Sequence, residues 1–542
     1  MKKWVLQLMM VFAAFGVQGE LVDTGVDGLS DGDGLSGVDE VSGVDEVNMS
    51  GTNPLLMDTD GDGVFDVDEV HVPNVFANDM VLQRRAPIPI FGNSLSDSSV
   101  SVSIHDAFDA VVASGSGTVS NGQWRVLLPA LEAGGPYRVV VAGEVGGTIE
   151  FSNVMIGEVF IVSGQSNMAL VLGHMDDSSE IFAEISNSDY DMRVLVPRKI
   201  SYDSPQENYL TEEGELGEVM WKDLASYKWG CSAVGYHFGR NLATELGVTV
   251  GIIHAARGGT SINQWLPEEV VESHSIRTPK PSSVWYNGMV APAIGYGVRA
   301  ILWYQGEDNA SIPEDYKIAL PLLMKSWRER WGIGSIPFLV FQLPGYDKNY
   351  DPLATPEIGK WGLFRVAQEW IVENNDDAYL VVNVPGGARA EIHPQDKEAV
   401  GWRASRVALK NLYGLNIVGA GPSLLSAERS GSSMVCTFDN GGAPLTAMEV
   451  TVDGLTLSGA SLSGFAVAGS DGVWTNATAV ISGSSTVVVS SPSVSEPVQV
   501  MYGMENFPLC NLFNTGQMPC APFLVKDPSV AEEFGINYKT RN

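Results

Sequence analysis

The sequence has 542 residues, 44% of them apolar, and is too long for one ordinary domain at about 150 residues each. Lys and Arg number 32 against 65 Asp and Glu, a formal charge of −33 that repels phosphate backbones and anionic lipid, so nucleic acid is excluded as a partner. Four cysteines are too few for a disulfide scaffold, and 59 glycines point to a turn-rich chain with much β-structure.

The chain opens on Met1-Lys2-Lys3 and an apolar run from Trp4 to Val17. A basic start and a short apolar stretch ending near small residues predict a signal peptide over 1–19 and a secreted or periplasmic protein. No later segment is apolar enough to predict membrane insertion. Residues 20–57 form an acidic Gly/Asp-rich linker that cannot bury much apolar area. At 58–69 a twelve-residue loop places Asp58, Asp60, Asp62, Asp66 and Glu69 at positions 1, 3, 5, 9 and 12, with Gly63 at 6. With the Val64 carbonyl at position 7, this is an oxygen set for Ca²⁺. Its context resembles thrombospondin type 3-like repeats, and the ion is expected to be structural, with no cofactor for catalysis.

Residues 70–150 alternate apolar and polar in short runs such as Val100-Ser-Val-Ser-Ile104, predicting a small antiparallel β-domain. From 151 to 415 the texture changes. Buried-type runs at Val159–Val162, Val248–Ile253, Ala300–Trp303, Phe338–Phe341 and Tyr379–Val382 alternate with helical segments at Ala233–Leu246, Tyr316–Trp331, Trp361–Glu373 and Asp396–Leu412. That order predicts an α/β layer around a mostly parallel sheet, with reactive groups at the carboxyl ends of its strands. Residues 416–542 read as a C-terminal β-domain. Cys510 and Cys520 bracket a loop there and are candidates for a disulfide, whereas Cys231 and Cys436 read as small buried hydrophobes.

The run Val159–Val162 leads into Ser163-Gly164-Gln165-Ser166-Asn167-Met168. A strand ending in Gly-x-Ser exposes a serine on a sharp turn, where backbone N–H groups of a following helix gather. Taken singly, such a turn is only a turn. A nucleophilic serine needs a base. His393, in Glu391-Ile392-His393-Pro394, lies between a buried strand and a helix, hence on the same rim. His254, at the end of another strand, is its rival. Two further strand ends, Arg257-Gly258-Gly259-Thr260 and Gln305-Gly306-Glu307-Asp308-Asn309, bring bare backbone N–H groups and side-chain amides suited to an oxyanion.

These blocks, with Pro73–Phe76, Trp285–Pro292, Lys397 after the His393 loop, Asn511–Asn514 and Pro522-Phe523, resemble the sialate O-acetylesterases and related carbohydrate acetylesterases of the SGNH type over residues 74–526. The resemblance implies an α/β class, a flavodoxin-like three-layer α/β/α core with flanking small β-domains. It implies a serine esterase that removes O-acetyl groups from carbohydrates through an acetyl-serine. Ser166 would be the nucleophile and His393 the base, with Gly259 and Gln305 in the oxyanion hole. Gln165, Asn167, Arg257 and Asn309 would bind substrate. Where many relatives carry Asp three residues before the histidine, this chain has Ala390; Glu391 is the candidate third member. Asp308 stands where Ser or Thr is usual, and its charge favours a neutral, xylan-like polysaccharide over sialic acid. Arg257, able to hold a carboxylate or to pair with Asp308, argues the other way. The competing reading is a non-catalytic carbohydrate-binding or adhesion protein with a calcium-stiffened spacer.

Overall fold

The computed structural model describes residues 69–210, 221–351 and 354–526. The expected signal peptide, the linker and all of the calcium loop except Glu69 lie outside the described residues. Seven strands open the described chain: β1 (Val81–Gln83), β2 (Ile88–Asn93), β3 (Ser99–His105), β4 (Val111–Thr118), β5 (Gln123–Leu128), β6 (Gly134–Gly143) and β7 (Thr148–Gly164). In β3, Val100, Val102 and Ile104 face inward while their serine neighbours face out, the period-2 pattern read from the sequence. β3 pairs antiparallel with β4 and β6, and β6 pairs with β7.

β7 changes character along its length. Its first half is largely exposed, and from Ile156 onward every residue is buried. The sequence dictates this: Thr148–Asn153 mixes polar and apolar residues, and Val159-Phe-Ile-Val162 has no polar face. The second half is the central strand of a parallel sheet that also holds β8 (Met192–Leu195), β10 (Val250–Ala256), β11 (Ala300–Tyr304), β12 (Phe338–Phe341) and β13 (Ala378–Val381), with β9 (Trp221–Asp223) antiparallel at the edge. The order is β13-β12-β11-β7-β10-β8-β9. The chain fills the β10 side of β7 first and then crosses to β11, so the topological switch point lies at the carboxyl end of β7. The boundary expected at 150/151 falls inside this strand. One apolar core runs from Val100 and Val139 through Phe160 and Ile252 to Trp303.

Helices Ala233–Leu246, Pro313–Trp331, Lys360–Glu373 and Glu398–Asn411 flank the sheet. Their ends follow local chemistry. Ser232 caps the first by accepting from Gly235 N–H, and Gly247 (φ 63°) ends it. β8, β9 and the helix Ser178–Asn187 were not anticipated from the sequence. None of these helices is long and apolar enough to cross a membrane.

After the helix Glu398–Asn411 the described chain is β-structure around a second core that includes Phe438, Tyr502 and Phe523. Cys510 and Cys520 lie in that core without the disulfide considered above. Both are inaccessible; the Cys520 thiol donates to the Ala521 carbonyl, and burial pushes the Cys510 thiol up to about 12. They act as small hydrophobes, as do Cys231 and Cys436.

Candidate active site

The nucleophile turn is locked by backbone contacts between three strand ends. Gly164 has φ 131°, and a Cβ there would stand 2.1 Å from the Tyr304 carbonyl oxygen, so only glycine fits between β7 and β11. Gln165 N–H donates to that carbonyl (2.9 Å), and Arg257 N–H donates to the Gly164 carbonyl (3.0 Å). Ser166 then opens the short helix Ser166–Ala169, partly exposed while Gln165 and Asn167 on either side are buried. A Cβ on Gly258 would come within 3.4 Å of Ser166 Cβ, so the glycine turn after β10 backs directly onto the serine.

Asn167 ties this turn to the histidine loop. Its Nδ2 donates to Glu307 Oε1 (2.5 Å) and to the carbonyl of Ile392 (3.1 Å), and its Oδ1 accepts from Lys397 Nζ (2.7 Å). Every polar atom of the Asn167 side chain is therefore engaged and none is accessible, so Asn167 does not bind substrate as expected but fixes the loop beside Ser166. Burial raises Glu307 to about 7 and lowers Lys397 to about 8, each opposed by the other's charge or by the Asn167 bond. Sequence reasoning missed the role of these two residues. The available signal was a carboxylate and an amine placed beside two motif loops in an otherwise apolar core.

His393 is partly exposed. Glu391 Oε1 accepts from the His393 backbone N–H (2.8 Å) and lies 3.2 Å from Nδ1, leaving Nε2 for the substrate side. The Glu391 side chain is 59% exposed, which weakens its hold on the ring through solvent screening. The rival base, His254, is wholly buried, and burial drives its pKa down to about 3. It cannot serve.

The oxyanion donors differ from expectation in one respect. The backbone N–H groups of Ser166, Gly258 and Gly259 have no acceptor among the described residues, and Gly259 (φ 68°) holds the turn open. Gln305, however, is inaccessible, and its Nε2 already faces Gln165 Oε1 (3.0 Å), the Thr260 carbonyl (3.1 Å) and Asn309 Oδ1 (2.8 Å). It braces the site and has no free donor. Gln165 also braces the site, accepting at Oε1 from Gln305, Gly306 N–H and Asp308 N–H, while its Nε2 has no partner among the described residues. Asn309 Oδ1 accepts from Ile262 N–H and Gln305, which fixes the amide and leaves Nδ2 without a partner among the described residues. Asn309 therefore keeps a side-chain donor without a partner among the described residues, which Gln305 does not.

Comparison with known proteins adds the family. Residues 156–360 match the family described as carbohydrate esterase, sialic acid-specific acetylesterase. The α/β core is similar to this family of carbohydrate esterases over those residues, and the chain is a carboxylic ester hydrolase. The esterase is 27% identical to human sialate O-acetylesterase over 380 residues, 64% of this chain and 72% of the human one. It is 25% identical to the mouse enzyme over 429 residues, covering 67% and 77%. A solved carbohydrate acetylesterase from Xanthomonas citri aligns with TM-score 0.73 and 29% identity over 84% of this chain and 99% of that one.

Around the esterase's serine, Asp308 is paired with Lys280 (2.8 Å), whose Nζ also donates to the Gly259 carbonyl (2.6 Å). Arg257 makes no such pair among the described residues; its guanidinium lies 5.2 Å from the ring centre of Trp285. Behind the histidine loop a cavity of about 530 Å³ separates Glu391, Lys397, Trp402 and Arg403 from Val450 and Asp453 of the C-terminal β-structure. Arg389 and Asp453 bridge it at 2.5 Å. Among the described residues no cluster of His, Cys, Asp or Glu is arranged to hold a metal ion.

Proposed function

We propose that this esterase hydrolyses O-acetyl esters of carbohydrates by a serine mechanism. Ser166 Oγ attacks the acetyl carbonyl carbon while His393 Nε2 takes its proton. Ser166 N–H, the Gly258–Gly259 turn and Asn309 Nδ2 stabilise the oxyanion. Collapse expels the sugar oxygen, which takes the proton back from His393, and leaves an acetyl-serine. Water, deprotonated by His393, then releases acetate. Glu391 orients the imidazole through Nδ1.

The observation that carries this reading is the bond from Asn167, beside the nucleophile, to the carbonyl of Ile392, beside the base. A dead binding module would have no need to keep those two loops in register through buried polar groups. The preference for a neutral, xylan-like substrate rested on a free Asp308 and on the net charge of −33; the pairing of Asp308 with Lys280 removes the first ground. Export and a structural calcium in the loop 58–69 are part of the same proposal and rest on the sequence alone.

Acetate release from an aryl acetate and from acetylated sugars, run beside Ser166→Ala and His393→Ala, tests it. Activity in the parent, lost in both variants, with an acetyl group trapped on the Ser166 peptide, is the expected result. A folded parent that releases no acetate from any of them overturns it in favour of the binding-module reading.

A further inference from the structure

Trp229 is the most exposed tryptophan among the described residues, with 63% of its surface in solvent. It stands in the short helix Lys228–Gly230, and the segment after it is bonded to the segment after the nucleophile. Leu172 N–H donates to the Cys231 carbonyl (2.9 Å), Ala233 N–H to the Leu170 carbonyl (2.9 Å) and Ser232 Oγ to the Met168 carbonyl (2.7 Å). The indole packs on Gly173 in that serine-side loop: a Cβ there would stand 2.1 Å from Trp229 Cε3. Farther along the same loop, Asp176 N–H donates to Gln395 Oε1 (3.2 Å), in the loop that carries His393. Trp229 therefore sits on the stretch of chain that runs from the nucleophile helix to the histidine loop. One short helix and four further residues lead from Ser166 to Gly173, which puts the two within about 20 Å of each other.

The backbone of Gly173 does not require glycine, since its φ lies outside the left-handed region; the close approach of the indole does. The Phe182 ring, 5.2 Å away between centres, supports the indole from a second side. Held along one edge and against Phe182, the ring keeps a face in water, and its N–H has no hydrogen-bond partner among the described residues. Such a ring fits an apolar protein surface or a sugar. A protein interface needs a contiguous apolar area, and between Val145 and Ile318 no other large apolar side chain is exposed among the described residues. A pyranose needs only the one ring: its C–H face lies on the indole and a hydroxyl meets the N–H.

We propose that Trp229 is a stacking platform on the active-site rim for a second sugar residue of the acetylated carbohydrate. This rests on the Ser166 esterase reading and adds that the substrate is a sugar chain: one residue carries the ester to Ser166 while another lies on Trp229. An acetyl group on a single sugar reaches the serine without that hold.

The test compares kcat/KM for O-acetylated xylose with O-acetylated xylotetraose, and for O-acetylated sialic acid with O-acetylated sialyllactose, in the parent, Trp229→Ala, Trp229→Phe and Gly173→Ala. The parent is expected to favour the chain in at least one pair. In Trp229→Ala the ratio of chain to single sugar should fall roughly tenfold, mainly through KM, while Trp229→Phe keeps most of it. Gly173→Ala, which displaces the ring, should lower the ratio with Trp229 still present. In a second measurement, calorimetry on Ser166→Ala protein follows binding of xylotetraose and sialyllactose, with loss expected on adding Trp229→Ala. If the parent releases acetate but favours no chain, or if the ratio survives in Trp229→Ala, the platform is wrong and the esterase stands. If sedimentation shows a dimer that Trp229→Ala dissolves, the ring belongs to an interface between copies and the platform is wrong. If the parent hydrolyses nothing, the esterase reading falls, and the calorimetry alone decides the platform.

Discussion

Lys397 Nζ donates a 2.7 Å hydrogen bond to Asn167 Oδ1, across 230 positions of chain. Through it the residue beside the nucleophile and the residue that starts the helix after the base share one buried contact. Glu307, on the far side of Asn167, completes the chain of charges.

Asn167→Ala removes the centre of that chain. Lys397 and Glu307 lose their partner, and stability is expected to drop by about 1–3 kcal/mol. The freed histidine loop should cut kcat more than it raises KM. Thermal denaturation and steady-state kinetics check this; a kcat that merely tracks the folded fraction would sink the positioning role.

The pH dependence of stability follows from Glu307. Its folded pKa, about 7, lies above the ordinary carboxyl value of 4.5. Between those values the folded state holds a proton that the unfolded state has lost, so this group's stabilisation is fully present below 4.5 and disappears as pH rises through 7, by at most ~3 kcal/mol. Lys397, lowered from 10.5 to about 8, acts in the opposite sense: its share of stability rises between pH 8 and 10.5. Melting curves from pH 4.5 to 7 should show Glu307→Gln losing most of the parent's slope. An unchanged slope argues that the carboxylate is not protonated in that window.

Glu391→Gln separates orientation from base chemistry. The exposed carboxylate is screened, so the loss in kcat is expected near tenfold, against about a thousandfold or more for His393→Ala. A Glu391→Gln enzyme as inactive as His393→Ala would mean that Glu391 does more than aim the ring.

Asn309 and Gln305 offer a clean contrast. Asn309→Ala should cost about 10²–10³ in kcat by removing an oxyanion donor, whereas Gln305→Leu should first show up in the melting temperature. The reverse pattern would return Gln305 to the oxyanion hole.

Calcium is expected to bind the loop Asp58–Glu69 without touching catalysis. Chelation should leave aryl acetate turnover intact and expose the segment around residues 58–69 to protease. Loss of turnover on chelation contradicts a purely structural ion.

Much of this site was legible as sequence because it depends on where strands end. Ser166, His393, Gly259 and Asn309 each follow a continuous apolar run, and a parallel sheet puts such ends on one rim. What could not be read was the use of the amides. Gln165, Asn167, Gln305 and Asn309 have the same chemical groups, and only the packing decides that Asn167 and Gln305 spend their donors internally while Gln165 and Asn309 keep a donor without a partner among the described residues. Asp308 was open for the same reason: Lys280 lies 28 residues upstream, outside any motif. β8 and β9 escaped notice because Met192–Leu195 and Trp221–Asp223 are too short to show a period.

β7 also constrains how this enzyme can be divided or inherited. The polypeptide that delivers Ser166 begins as the partner of β6, and near its middle Glu158 is clamped by Gln83 (2.8 Å) at the end of β1 and Arg84 (2.6 Å) just after it. A fragment starting near residue 151 would bare that carboxylate and strip the strand of its outer neighbours. The N-terminal sheet is therefore a splint for the nucleophile rather than a detachable appendage, and recombination that shuffles it must carry the whole of β7 along.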